Sequence, residues 1–179
     1  MNERSYARLD AASLVLLLLW SGAGLGFGLL VAPVVFQTVP SRDLAGLAMG
    51  KVLARLDIAA WIAFGGALAL SVGSRWMHEF REAGPVGPLR LWMAAALAAL
   101  LMCMSSTFIL TPRLNEVRTR MAAPVETFSP DHPDRVLYNR VHRFSRQMFI
   151  LRLLLALGLA WGTTRLPRRS DGPETESAS

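Results

Sequence analysis

The feature that most constrains this chain is the uncharged stretch from Leu14 to Phe36, LVLLLLWSGAGLGFGLLVAPVVF. An α-helix needs about 20 mostly apolar residues to cross the hydrocarbon core of a bilayer. The stretch exceeds that length, so we predict a membrane-spanning helix. Three further apolar stretches follow, separated by charged or Gly/Pro-rich breaks. The predicted spans cover about 12–36, 55–73, 89–111 and 147–164.

These four spans predict an all-α fold, a four-helix transmembrane bundle. With an even number of spans, both termini lie on one side of the membrane. We expect residues 1–166 to form one membrane domain. The polar end, 167–179 (PRRSDGPETESAS), is expected to be disordered because it holds too little apolar surface to fold.

The 1–2 and 3–4 connections are predicted to carry amphipathic helical extensions. After Phe36, Ser41 can cap a new helix and Asp43 favours its positive end. This helix either lies along the membrane surface or extends the second span outward. At the other connection, Thr111-Pro112 is predicted to end the third span and to start a short amphipathic helix, since proline suits the first helical position.

The charge of the chain points to a membrane surface. The net charge is +6 and the pI about 10.9, yet the arginines cluster beside the apolar spans, where anionic lipid headgroups would face them. We therefore expect the lipid bilayer as partner, with a homo-oligomer or a membrane-complex partner, and no nucleic acid. The single cysteine, Cys103, excludes a disulfide framework and a cysteine-based zinc site.

Small residues recur at every fourth position in the first two spans. Gly24, Gly28 and Ala32 form one row, and Ala63 lies in a similar row of the second span. Such rows let helices approach closely in lipid. Our hypothesis is that the two rows face each other.

Four residues are predicted to form a polar cluster just inside the face opposite the termini: Asp57, His142, Ser145 and Arg152. An arginine inside a span costs about 2.5–3.5 kcal/mol on insertion scales and usually has a partner. Asp57 enters the second span from the same face, so its depth should match that of Arg152. The alternative is that Arg152 snorkels to the headgroups.

His142 is the candidate cofactor ligand, although the cofactor itself stays unknown. It could bind haem or a metal, relay protons, or only hydrogen-bond a neighbouring helix. Met102-Cys103-Met104 offers sulfur ligands suited to Cu(I), but consecutive helical residues point about 100° apart, so packing is the better interpretation. The sequence contains no phosphate loop, GxSxG elbow or HExxH motif, and we expect no enzyme.

Four short motifs of the sequence resemble those of a known family. They are Gly24-Leu-Gly-Phe-Gly28 through Ala32-Pro33-Val-Val-Phe36, Ser41-Arg-Asp-Leu-Ala45-Gly46, Thr111-Pro112-Arg113, and Val141-His142-Arg143-Phe144-Ser145. Together they resemble the transmembrane protein 205-like family, also described as domain of unknown function 4149. The resemblance implies a four-span membrane protein without an established activity. The positions on these motifs are Pro33, Phe36, Gly46, Pro112, His142 and Ser145.

The function expected from these features is non-enzymatic. The chain would aid small-molecule export or the assembly of a membrane complex, as a multi-pass protein of the plasma or bacterial inner membrane. The alternative is a small haem- or copper-associated membrane protein that uses His142.

Overall fold

The structure is a computed structural model that describes residues 3–82, 87–121 and 123–165. Every regular element in these residues is helical. The six α-helices are α1 (Glu3–Gly26), α2 (Ala32–Thr38), α3 (Arg42–Glu82), α4 (Gly87–Ser105), α5 (Thr111–Met121) and α6 (Pro133–Arg165). Phe27–Val31 forms a first π-turn, Ser106–Leu110 a second, and Val125–Thr127 a 3-10 turn. The predicted disordered tail, 167–179, lies outside the described residues.

The predicted fold class is confirmed. Within the described residues, four helical stretches are long and apolar enough to cross a membrane: Ala7–Thr38, Arg42–Gly73, Leu89–Met121 and Pro133–Arg165. They pack in the cyclic order α1, α3, α4, α6, with α6 closing back onto α1. The chain is a four-helix bundle of the multi-pass membrane type.

Small side chains fill the centre of this bundle. The buried apolar residues include Ala60, Ala63 and Ala67 of α3, Ala96 and Ala99 of α4, and Ala156 and Ala160 of α6. Trp92 of α4 is also buried, and its indole Nε1 donates a 3.0 Å hydrogen bond to the Leu159 carbonyl of α6. Large side chains such as Leu19, Leu29 and Leu30 are instead exposed. This inversion fits a lipid environment, where close helix packing favours small residues and the outer surface is apolar.

The predicted helical extensions continue the spans instead of lying across them. α3 runs unbroken for 41 residues, about 60 Å at 1.5 Å per residue, which is twice the thickness of a hydrocarbon core. α5 continues α4 through the second π-turn. On the extensions, the side chains of Ala45, Met49, Val117 and Met121 are buried as well.

A helix starts at Thr111-Pro112 as predicted, yet the chain does not break there, since α5 continues α4 through the second π-turn. Both Pro33 and Pro112 are the second residue of a helix that follows a π-turn. In these turns the N–H of Ala32 bonds to the Phe27 carbonyl and that of Thr111 to the Ser106 carbonyl, five residues back. The wider turn shifts the preceding carbonyls out of α-helical register, which relieves their clash with the proline ring. The helix therefore passes each proline.

The hypothesis that the two small-residue rows face each other is wrong for α1. A Cβ added at Gly24 would touch Phe149 and Leu153 of α6, at 3.4 and 3.5 Å, and one added at Gly28 would meet nothing within 4 Å. Ala63 of α3 is buried in the core. The contact of α1 with α3 instead involves Ser13, whose hydroxyl lies 3.5 Å from the Ala67 carbonyl. The glycine row therefore contacts α6 at Gly24 and does not face the row of α3.

Candidate functional site

The centre of the candidate site is a buried ion pair between α3 and α6. Arg152 Nη1 lies 2.7 Å from Asp57 Oδ1. Arg152 is 2% exposed and Asp57 7% exposed. A charge in such surroundings is tolerated when an opposite charge and hydrogen bonds compensate it. We call Asp57, Arg152, Ser106 and Cys103 the charged core.

α4 and the second π-turn supply the other two members of the charged core. Ser106 Oγ donates a 2.8 Å hydrogen bond to Asp57 Oδ2, so each carboxylate oxygen has a partner. Cys103 Sγ accepts a 3.5 Å hydrogen bond from Arg152 Nη1. Cys103 and Ser106 are three residues apart and therefore share one side of the helix. Ser106 is the first residue of the π-turn that accommodates Pro112.

One buried hydrogen-bond donor of Arg152 has no partner in the described residues. This donor is the Nε group. The guanidinium carbon lies 6.0 Å from the centre of the Phe149 ring, within the range of a cation–π contact. An unpartnered buried N–H costs about 1–3 kcal/mol. The charged core thus compensates the charge of Arg152 while leaving a hydrogen-bond donor unused.

Aromatic side chains border the charged core on α1 and α3. Trp20 donates from Nε1 to the Leu56 carbonyl at 3.0 Å, next to Asp57. Its ring also contacts that of Phe149, with centroids 6.2 Å apart. Trp61 Nε1 donates to Thr107 Oγ1 at 3.3 Å. These indoles satisfy hydrogen-bond acceptors near the charged core, at Leu56 and Thr107.

The structure does not bring His142 into the charged core. His142 is exposed, and its ring stacks on Tyr138 with centroids 5.9 Å apart and planes within 3°. It lies ten residues before Arg152 on α6, about 15 Å along the helix axis. Ser145 is half-buried between them. Of the four predicted cluster residues, only Asp57 and Arg152 touch.

A second polar cluster joins the helical extensions. Arg118 of α5 bonds to Asp43 Oδ1 of α3 at 2.8 Å, and its guanidinium carbon lies 5.8 Å from the centre of the Tyr138 ring on α6. A Cβ added at Gly46 would come within 3.2 Å of Arg118 Nη2. Glycine therefore leaves room for the arginine. His142 stacks on Tyr138, so it packs with the helical extensions and not with the charged core.

The candidate metal ligands lie apart from one another. Within the described residues, no three His, Cys, Asp or Glu side chains are grouped so that they could hold a metal ion. Cys103 is buried against Arg152, whereas the neighbouring Met104 is 44% exposed. The haem- or copper-associated alternative therefore rests on His142 without help from Cys103.

The hydroxyl partner of Asp57, Ser106, was missed from the sequence. A polar run, Ser105-Ser106-Thr107, interrupts the third apolar span. Ser106 contacts Asp57, and Thr107 accepts the bond from Trp61. A buried carboxylate needs hydrogen-bond donors. This polar run could therefore have predicted the residue that donates to Asp57.

The fold and the charged core define a class: a multi-pass membrane protein with an ionised pair enclosed between its spans. Within that class, the chain belongs to the family described as Domain of unknown function (DUF4149), whose family model matches residues 15–123. Pro33, Phe36, Gly46 and Pro112 lie in the matched region, and His142 and Ser145 lie beyond it. Comparison with curated proteins gave no match, and neither did comparison with solved structures.

Proposed function

We propose that this protein is a non-enzymatic transport component that helps to export a small molecule across the membrane, with the charged core as its polar site. The observation that carries the proposal is the Asp57–Arg152 pair, buried between apolar spans. Ionisable residues placed in this way commonly mark the path of a substrate or an ion.

The chemistry of the pair supports binding more than catalysis. Both oxygens of Asp57 accept hydrogen bonds, from Arg152 and from Ser106, so neither is held ready as a base. The Nε of Arg152 is the unused group. A solute carrying a carboxylate or carbonyl oxygen could accept a hydrogen bond from it, and the guanidinium charge would strengthen that bond. The proposed solute is therefore a small molecule with an anionic or strongly polar oxygen.

The test is an efflux assay in vesicles that contain the purified protein. The vesicles are loaded with carboxyfluorescein, a small organic anion, or with the cation rhodamine 6G, and loss of dye is followed over time. We expect faster loss of the anion with the wild type than with Arg152→Gln/Asp57→Asn, which removes both charges and leaves polar, uncharged side chains at both positions. Equal loss from wild-type, variant and protein-free vesicles would contradict the proposal.

Assembly of a membrane complex is the second candidate function, and the outer face of α1 favours it. A Cβ added at Gly22 or Gly26, which lie one turn apart, would meet nothing within 4 Å, so this side of the helix is open to a further helix from a second copy or another protein. Cross-linking from cysteine introduced at Gly22 in native membranes would test it. A cross-link formed as strongly from Leu91, exposed on α4, would count against a specific contact.

We further propose that the chain is of the transmembrane protein 205-like type and resides in the plasma or bacterial inner membrane. The motif positions Pro33 and Pro112, each the second residue of a helix that follows a π-turn, support the first proposal. Fractionation of cells that express the tagged protein tests the second. Recovery in an internal membrane would contradict it.

A further inference from the structure

One outward face of α6 carries a shallow groove beyond the fourth span. The groove has a volume of about 340 Å³ and is lined by Val136, Asn139, Arg140 and Arg143. These positions are spaced by three or four residues, so they form one stripe along the helix. Arg140 and Arg143 are both exposed.

This stripe continues the lipid-facing side of the span. Ile150 and Leu154 are 49% and 60% exposed, and both follow Arg143 at helical spacing on the same side. Arg143 precedes Ile150 by seven residues, about 10 Å along the axis. From Gln147 to Thr164, Arg152 is the sole charged residue. Arg143 and Arg140 therefore lie directly beyond the apolar surface, at the height where headgroup phosphates are found.

The two arginines of the stripe are free of acidic partners in the described part of the chain. The ion pairs of this end join Arg118 with Asp43 at 2.8 Å, Arg120 with Asp134 at 3.8 Å, and Arg42 with Glu126 at 3.9 Å. No such pair involves Arg140 or Arg143. Two guanidinium groups three residues apart thus present uncompensated positive charge to the membrane surface.

We propose that the groove binds the phosphate of an anionic phospholipid headgroup. Arg140 and Arg143 hold the phosphate through charge-assisted hydrogen bonds, and the Asn139 amide bonds to the polar part of the headgroup. Phe144, 49% exposed and adjacent to Arg143, lies against the upper part of the acyl chains. A lipid with net negative charge is favoured over a zwitterionic one, because a choline group would bring a third cation to the pair.

The experiment measures thermal stability in a neutral maltoside detergent while one lipid is added. Phosphatidylglycerol should raise the melting temperature of the wild type by about 5 °C, the size expected of a ligand well above its dissociation constant. Phosphatidylcholine with the same acyl chains should leave it nearly unchanged. In Arg140→Gln/Arg143→Gln, the shift caused by phosphatidylglycerol should be lost.

The matched control is Arg55→Gln/Arg113→Gln, which removes the same charge from exposed residues of α3 and α5 at the same end. It should keep the shift. Loss of the shift in both double variants would show a general surface attraction and overturn the proposal. An equal shift from inorganic phosphate without lipid would also overturn it, since the ligand would then be a soluble phosphate.

Discussion

Asp57 and Arg152 are 95 residues apart in the sequence, and Asp57 Oδ1 lies 2.7 Å from Arg152 Nη1. This contact ties the second span to the fourth, which are not consecutive members of the helical ring. Together with the Ser106 hydroxyl on Asp57 Oδ2, it joins three of the four spans at one depth. A membrane bundle gains little from the hydrophobic effect between its helices, so such polar contacts weigh more in its stability.

Removing one member of the pair should be more harmful than removing both. Asp57→Ala or Arg152→Ala would leave an uncompensated buried charge, at a cost of about 3–5 kcal/mol. The double variant should lose less than the sum of the two single losses. The free energy of unfolding in mixed detergent–SDS micelles, followed by tryptophan fluorescence, measures all three. Additive losses would mean that the two charges do not stabilise each other.

Ser106→Ala should destabilise the protein by about 0.6–1.7 kcal/mol, the range of interhelical hydrogen bonds in membranes. The change removes the donor to Asp57 Oδ2. Ser105→Ala is the matched control, because Ser105 donates to the Leu101 carbonyl of its own helix. Its effect should be close to zero in the same unfolding assay. A larger loss at Ser105 than at Ser106 would contradict this account.

The depth of the ion pair could be predicted from the sequence, whereas its surroundings could not. Counting residues from the same membrane face places Asp57 and Arg152 at one level, because helical rise is nearly constant. Which side of α4 faces them depends on the second π-turn, Ser106–Leu110. A proline inside a helix can be accommodated by such a turn, but proline is equally common at the start of a helix. Pro112 alone therefore could not predict the π-turn.

The sequence also could not give the rotation of α1 about its axis, which is why the predicted partner of the glycine row was wrong. Periodicity shows that Gly24 and Gly28 share a side of α1, but every neighbouring helix in lipid offers a similar apolar surface. The choice between α3 and α6 is made by larger side chains such as Phe149, which fills the space beside Gly24. His142 lies outside the charged core because its ring stacks on Tyr138, and this contact depends on the helical extensions.

Leucine should be tolerated at Gly28 and harmful at Ala63. Ala63 is 3% exposed in the core, and an added isobutyl group there should cost about 1–3 kcal/mol through overpacking. A Cβ at Gly28 meets nothing within 4 Å, so Gly28→Leu should not lower the stability, because nothing is overpacked there and leucine favours a helix more than glycine does. Melting temperatures in detergent compare the two variants. Equal destabilisation would restore the idea that the two rows face each other.

Gly46 and Gly50 lie one turn apart on α3 and should respond differently to alanine. A Cβ at Gly50 meets nothing within 4 Å, whereas one at Gly46 lies 3.2 Å from Arg118 Nη2. Gly50→Ala should stabilise the protein by about 0.5–1 kcal/mol through helix propensity. Gly46→Ala should gain nothing, because it pushes Arg118 away from Asp43, to which it bonds at 2.8 Å.

The contact behind this difference can be tested by removing the arginine. In an Arg118→Ala background the space above residue 46 is free, so Gly46→Ala should then stabilise as much as Gly50→Ala does. The four variants are compared by their free energies of unfolding in mixed micelles. If Gly46→Ala gained as much with Arg118 in place as without it, the guanidinium would not be held over the glycine, and the Asp43–Arg118 bond would not restrict this position.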